Sequence, residues 1–194
     1  MISALTPELE ARFRRLPRGL QAHVRRVQRI AVELANHHAV DIQRAELAAL
    51  CHDIARAIKG EELLRRAKEW GIPLHPVEEA LPILLHGPVG AEILRRDCAV
   101  EDEDVLEAVR WHTTSSRGLS AISKVVFLAD KLDPSKASRY PYIMQLQALA
   151  RKDLDKAMLF FLERELASHV VRGELIHPAS VEARNDLLLA NARR

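Results

Sequence analysis

Glycine is scarce in this chain, with seven residues in 194, and aromatic side chains make up only 4%. Cysteine is rarer still. Cys51 and Cys98 have neither metal-finger nor redox spacing, which excludes a disulfide framework and fits a reducing, cytoplasmic setting. No uninterrupted apolar run approaches the ~18 residues of a membrane span. The opening Met1-Ile2-Ser3-Ala4-Leu5-Thr6-Pro7-Glu8 lacks the basic start and apolar stretch of a signal peptide. A soluble, unexported protein with no membrane partner is therefore expected. An excess of one charge is also missing: 29 Lys and Arg against 27 Asp and Glu leave a formal charge of +2, so charge gives no reason to expect a nucleic-acid partner.

What the chain does have is apolar residues, 48% of the total, recurring every three to four positions. With so few glycines, that period predicts an all-α fold. The stripes Val27, Ile30, Leu34 and Leu47, Cys51, Ile54, Ile58 predict helices over roughly 19–38 and 43–58. Val105, Val109 and His112 mark a helix over about 103–112, and Ile122, Val126 and Asp130 another over about 119–132. Gly87 and Pro88 punctuate a helix junction. A long amphipathic helix is expected over about 142–172 and a short one over about 179–190. We read a single domain overall: an N-terminal segment 1–18, a core 19–140, and C-terminal helices 141–194 packed on it.

Six residues that suit a divalent metal fall at inward or junction positions of this pattern, in the order His23, His52-Asp53, His86, His112, Asp130. A lone histidine on an apolar face is usually a hydrogen-bonded core residue, but buried Asp53 and Asp130 require partners, and one cation would compensate the whole set. Imidazole nitrogen with carboxylate oxygen favours first-row metals over magnesium. Six donors exceed the need of one small ion, which makes room for two ions sharing a carboxylate. His37, His38, His75 and His169 are read as surface residues.

The segments around these residues are distinctive. They are His23-Val24-Arg25-Arg26-Val27, Cys51-His52-Asp53-Ile54-Ala55-Arg56, Leu85-His86-Gly87-Pro88-Val89-Gly90-Ala91, Trp111-His112-Thr113-Thr114, Leu128-Ala129-Asp130-Lys131-Leu132-Asp133-Pro134 and Ile176-His177-Pro178-Ala179-Ser180-Val181-Glu182-Ala183-Arg184-Asn185. Their order resembles the HD-domain superfamily of metal-dependent phosphohydrolases, and within it the bacterial YqeK family, over about residues 20–190. The resemblance implies an HD-domain helical bundle with a C-terminal helical extension. It implies symmetrical cleavage of diadenosine tetraphosphate and related dinucleoside polyphosphates to two ADP by a metal-activated hydroxide. It also implies two divalent first-row ions, iron first, with manganese, cobalt, nickel or zinc as alternatives. Carried onto this chain, the family pattern has His23, His52, Asp53 and Asp130 hold one ion and His86 and His112 the other, with Asp53 as the bridge. The chain departs from many relatives at Leu20, where they carry arginine, and at Ser115, where they carry glycine.

For substrate contacts, Arg56 falls three residues after Asp53 and four after His52, on one helical face, and can reach a phosphate. Lys131 is the second candidate for neutralising the leaving group. Lys136, Arg139 and Arg117 stand on adjoining loops, and Thr113 and Thr114 can donate hydrogen bonds to phosphate or cap their helix. The block His177 to Asn185 is expected to dock the last helix, with Ser180 as a local cap and Arg184 paired with an acidic group inside the bundle. Two alternatives accompany the main reading: a related phosphohydrolase acting on another nucleotide, and a non-catalytic nucleotide sensor, whose signature would be loss of a ligand. Oligomeric state has no signature in this pattern.

Overall fold

A computed structural model describes residues 6–192. Among them lie eleven α-helices, two 3-10 turns and no strand: α1 Pro7–Arg15, α2 Arg18–His37, α3 Ile42–Cys51, α4 Gly60–Glu69, α5 Pro76–Ala80, α6 His86–Asp97, α7 Glu103–Trp111, α8 Ala121–Lys131, α9 Ile143–Ala150, α10 Leu154–Arg172 and α11 Pro178–Ala192. The 3-10 turns cover Pro82–Leu85 and Pro134–Lys136. Among the described residues, no helix is long and apolar enough to cross a membrane.

Short polar side chains start several of these helices by accepting a backbone N–H that has no partner within the first turn. Thr6 caps α1, Asp41 caps α3, Asp102 caps α7 and Ser120 caps α8. Helix α1, within the N-terminal segment 1–18, buries Leu9 and Phe13 at the i, i+4 spacing of one helical face. Val24, Val27, Ala31 and Leu34 turn the inward face of α2 against α3 and α8. Helix α7 packs against α3, α6 and α8, while α10 lies against α8, α9 and α11. Buried apolar residues form one cluster running from Leu9 to Leu187.

Two predicted helices are each broken. The helix expected over 43–58 ends at Cys51, and the chain continues through i to i+3 turns, with Ile54 N–H donating to Cys51 O and Arg56 N–H to Asp53 O, each at 2.9 Å. The helix expected over 142–172 is interrupted after Ala150. Asp153 sits there in extended conformation (φ −159°), its carboxylate accepting Lys156 N–H at 3.0 Å, so a new helix begins where the stripe suggested continuity.

Candidate metal centre

Five helices bring the six predicted ligands to one place. His23 stands on α2, His52 and Asp53 follow the end of α3, His86 opens α6, His112 follows the end of α7, and Asp130 lies in the last turn of α8. Three of the four imidazoles are held by one device. The Nδ1–H of His52 donates to Ala49 O at 2.7 Å, that of His112 donates to Val109 O at 2.7 Å, and that of His86 donates to Ile83 O. Each ring thus uses the carbonyl three residues back. In α3 and α7 that is the carbonyl a continuing helix would give to the next N–H, which fits both helices stopping beside their histidine. The fourth ring, His23, is held through Nδ1 by the Asp133 carboxylate. With every Nδ1 engaged as a donor, each ring in its neutral form keeps an Nε2 lone pair directed at the centre.

Gly87 permits the closest approach. A Cβ at this position would lie 2.5 Å from Arg110 O, so only glycine lets the start of α6 press against α7. The result is a separation of 2.9 Å between His86 Nε2 and His112 Nε2. On the other side His23 Nε2 lies 3.3 Å from His52 Nε2. Two imidazole lone pairs at such distances repel unless a proton or cation lies between them.

Asp53 joins the two pairs. Its Oδ2 lies 3.6 Å from His23 Nε2 and 3.5 Å from His52 Nε2, while its Oδ1 lies 3.2 Å from His86 Nε2 and 3.5 Å from His112 Nε2. Asp130 Oδ1 faces the first pair only, at 3.2 Å from His23 and 3.7 Å from His52. Within the described residues, His23, His52 and Asp130 form one metal-competent group, and His52, Asp53 and His112 form another.

The electrostatics favour a cation. Burial holds His52 below the usual imidazole range, against the pull of Asp53 and Asp130. Burial likewise lowers His112 to about 4, so both rings are neutral ligands at pH 7. His23 is also depressed by burial, but hydrogen bonds to Asp130 and Asp133 outweigh it and the net shift is upward. Asp53 is 6% exposed; burial raises it, yet His52, His112 and His86 together hold it well below the carboxylate range. Among the described residues, no lysine or arginine forms an ion pair with Asp53. A carboxylate buried among four imidazoles and no permanent cation is a site that a metal completes, and the mixed N and O donors suit a divalent first-row ion.

Around this set lies a second ring of partners. Asp133, fully buried, takes Arg26 on both oxygens, Nε at 2.7 Å and Nη2 at 3.0 Å, and so anchors the carboxylate that orients His23. The sequence marks Asp133 only as the residue before Pro134. It does accept Ser135 N–H at 3.0 Å, but its bond to a residue 107 positions away has no local signature. Lys131 is buried; its Nζ donates to His112 O at 2.7 Å and Asp130 Oδ2 at 2.8 Å. Lys136 meets Asp130 through the other oxygen.

A cleft of about 780 Å³ opens over the centre, and Arg56, Thr113, Thr114, Lys131, Lys136 and Arg139 all line it. Arg56 is exposed and, among the described residues, its guanidinium has no hydrogen-bond or ion-pair partner. Arg139 donates to Glu165 at 2.6 Å. Thr113 Oγ1 sits 3.2 Å from His86 Nε2 and 3.1 Å from His112 Nε2, whereas the Thr114 hydroxyl donates to Ser115 O at 3.1 Å. Arg117 is exposed on the turn after these residues and is absent from the cleft lining.

The C-terminal block docks α11 differently from expectation. His177, not Ser180, caps the helix, its Nδ1 accepting Ala179 N–H at 3.2 Å. Ser180 Oγ reaches across to donate to Thr114 O at 2.6 Å. Arg184 pairs at 3.2 Å with Glu163 on the surface of α10, because its position on α11 faces outward.

An all-α bundle that gathers histidines and aspartates from five helices into one buried centre defines a hydrolase of the HD type. The HD domain profile matches residues 20–135, and the chain belongs to that family. It is 31% identical to the symmetrical bis(5'-nucleosyl)-tetraphosphatase of Bacillus subtilis over 156 residues, 80% of this chain and 82% of the relative. With the protein of the same description from Halalkalibacterium halodurans it shares 34% identity over 170 residues, 86% of this chain and 88% of the relative. The fold superposes with a TM-score of 0.88 on a crystal structure described as a predicted HD superfamily hydrolase involved in NAD metabolism from Clostridium acetobutylicum, at 28% identity and 96% coverage of both chains.

Proposed function

We propose that this protein hydrolyses diadenosine tetraphosphate, and related dinucleoside polyphosphates, symmetrically to two ADP. The observation that carries the reading is Asp53, a buried carboxylate whose two oxygens face two separate histidine pairs. That arrangement fits two divalent first-row ions, His23, His52, Asp53 and Asp130 toward one and Asp53, His86 and His112 toward the other, and the family resemblance puts iron first among the candidates. When bound, such ions supply an activated water near neutral pH and neutralise charge on a phosphoryl oxygen.

The chain's own side chains do the rest. His23 is kept in orientation by Asp133, and His52, His86 and His112 by their carbonyl bonds. Lys131 fixes Asp130 against the end of α7 and offsets its charge, which makes it a positioning residue. Arg56, exposed in the cleft, is free to grip a phosphate of the substrate, and Lys136 and Arg139 extend the cationic wall. Thr113 offers a hydroxyl beside the second histidine pair. The two relatives named as symmetrical tetraphosphatases support the choice of substrate.

Incubating the metal-loaded protein with diadenosine tetraphosphate and separating the products tests this directly. Two ADP per substrate is the expected result. ATP plus AMP would refute central cleavage, and no product would refute the substrate.

A further inference from the structure

Nine large hydrophobic side chains are exposed among the described residues, and three of them, Leu81, Ile83 and Leu175, line the cleft. Leu81 is 39% exposed, Ile83 36% and Leu175 52%. Partly buried Leu84 and Ile176 line it beside them. These residues come from two segments about ninety positions apart in sequence: the turn that carries His86, and the link between α10 and α11. Glu78 and His177 bring the segments together. Both side chains are 9% exposed; His177 Nε2 lies 3.6 Å from Glu78 Oε1, and the His75 ring stands 5.5 Å from that of His177. The apolar rim is therefore built across the cleft by a buried polar contact.

Exposed apolar groups gathered at the rim of a polar cleft mark a surface that a ligand covers. The rim is continuous with the metal centre, since Ile83 O is the acceptor of His86 Nδ1–H. The cationic residues Arg56, Lys131, Lys136 and Arg139 lie in the same cleft. A ligand that matches both surfaces carries phosphates at one end and a flat, weakly polar group at the other. We propose that Leu81, Ile83, Leu84, Leu175 and Ile176 form a shelf that takes the nucleobase of a nucleotide whose phosphates occupy the cationic part of the cleft. The proposal deepens the tetraphosphatase reading and rests on it for the identity of the ligand.

The test compares ADP with ribose 5-diphosphate, which has the sugar and the phosphates and lacks the base, by calorimetric titration of the metal-loaded protein. The wild-type protein is expected to bind ADP at least tenfold more tightly than ribose 5-diphosphate. In the double variant Ile83→Ser and Leu175→Ser the ratio of the two affinities should fall about tenfold. Both side chains are exposed, and melting curves check that the variant folds. Equal affinities in the wild type would overturn the shelf whether or not the variant folds, and so would an unchanged ratio in a folded variant. If the shelf holds while diadenosine tetraphosphate yields no product, the substrate assignment fails and the nucleobase subsite stands.

Discussion

Asp53 is the residue on which both halves of the centre depend, because its oxygens divide between His23 with His52 and His86 with His112. Asp53→Ala should release metal from both halves, so that metal content measured by mass spectrometry drops well below the wild-type value and hydrolysis is lost together with it. A variant that kept its full metal content and activity would remove Asp53 from the role of bridge. Ser115 carries the second prediction at this scale. Its φ of 63° is left-handed, it is fully buried, and its Oγ has no hydrogen-bond partner among the described residues. The left-handed backbone costs a non-glycine residue roughly 1–2 kcal/mol, and a buried unpaired hydroxyl adds about 1–3 kcal/mol. Glycine's greater freedom in the unfolded chain offsets about 0.5–1 kcal/mol of that gain. Ser115→Gly should therefore stabilise the protein by about 1–4 kcal/mol, read as a higher denaturant midpoint. A lower midpoint would show that the serine is held by a contact the backbone angle does not reveal.

At the scale of helices, what was legible in the sequence was whatever has a local period. The stripes of α2, α7 and α8 place His23, His112 and Asp130 toward the interior, and Gly87-Pro88 marks the junction where His86 stands. The early end of α3 was not legible, because the ring of His52 bonding Ala49 O is a side-chain event inside an unbroken apolar stripe. Nor were Asp133 with Arg26 or Glu78 with His177, since no local spacing encodes a contact across about a hundred residues. The contact between Glu78 of α5 and His177 at the head of α11 is testable by pH. Burial raises the Glu78 carboxyl, but the His177 ring 3.6 Å away and the hydrogen bond donated by His75 N–H outweigh it, so the folded value lies below the ordinary 4.5. A depressed folded pKa contributes stability that is present above the unfolded value and is lost as pH falls through the folded one. Glu78→Gln keeps an acceptor for His75 N–H and removes the charge. The wild type should melt above this variant at pH 6, and the gap should shrink as pH drops below about 4.5. A gap that stayed constant down to pH 3 would show that the carboxylate charge contributes nothing to holding α5 on α11.

For the whole molecule, the centre is also a fastener. Its ligands come from α2, the ends of α3 and α7, the start of α6 and the last turn of α8, so an ion held there links five helices beyond the apolar packing and the few polar bonds, such as Gln28 to Glu46 and Lys131 to His112 O, that already join them. The unfolded chain scatters those donors, and metal therefore binds the folded state by preference. At free metal a hundred times the dissociation constant, each ion adds about 2.7 kcal/mol. For a chain of this size that corresponds to a rise in melting temperature on the order of 5–10 °C per ion. Stripping metal with a chelator should lower the melting temperature by at least that amount. Adding back iron or manganese should restore it, with a shift that grows with the logarithm of free metal concentration. Asp53→Ala, which lacks the shared carboxylate, should show a much smaller response to chelation. A wild-type melting curve unchanged after verified metal removal would mean that the five helices pack independently of the centre.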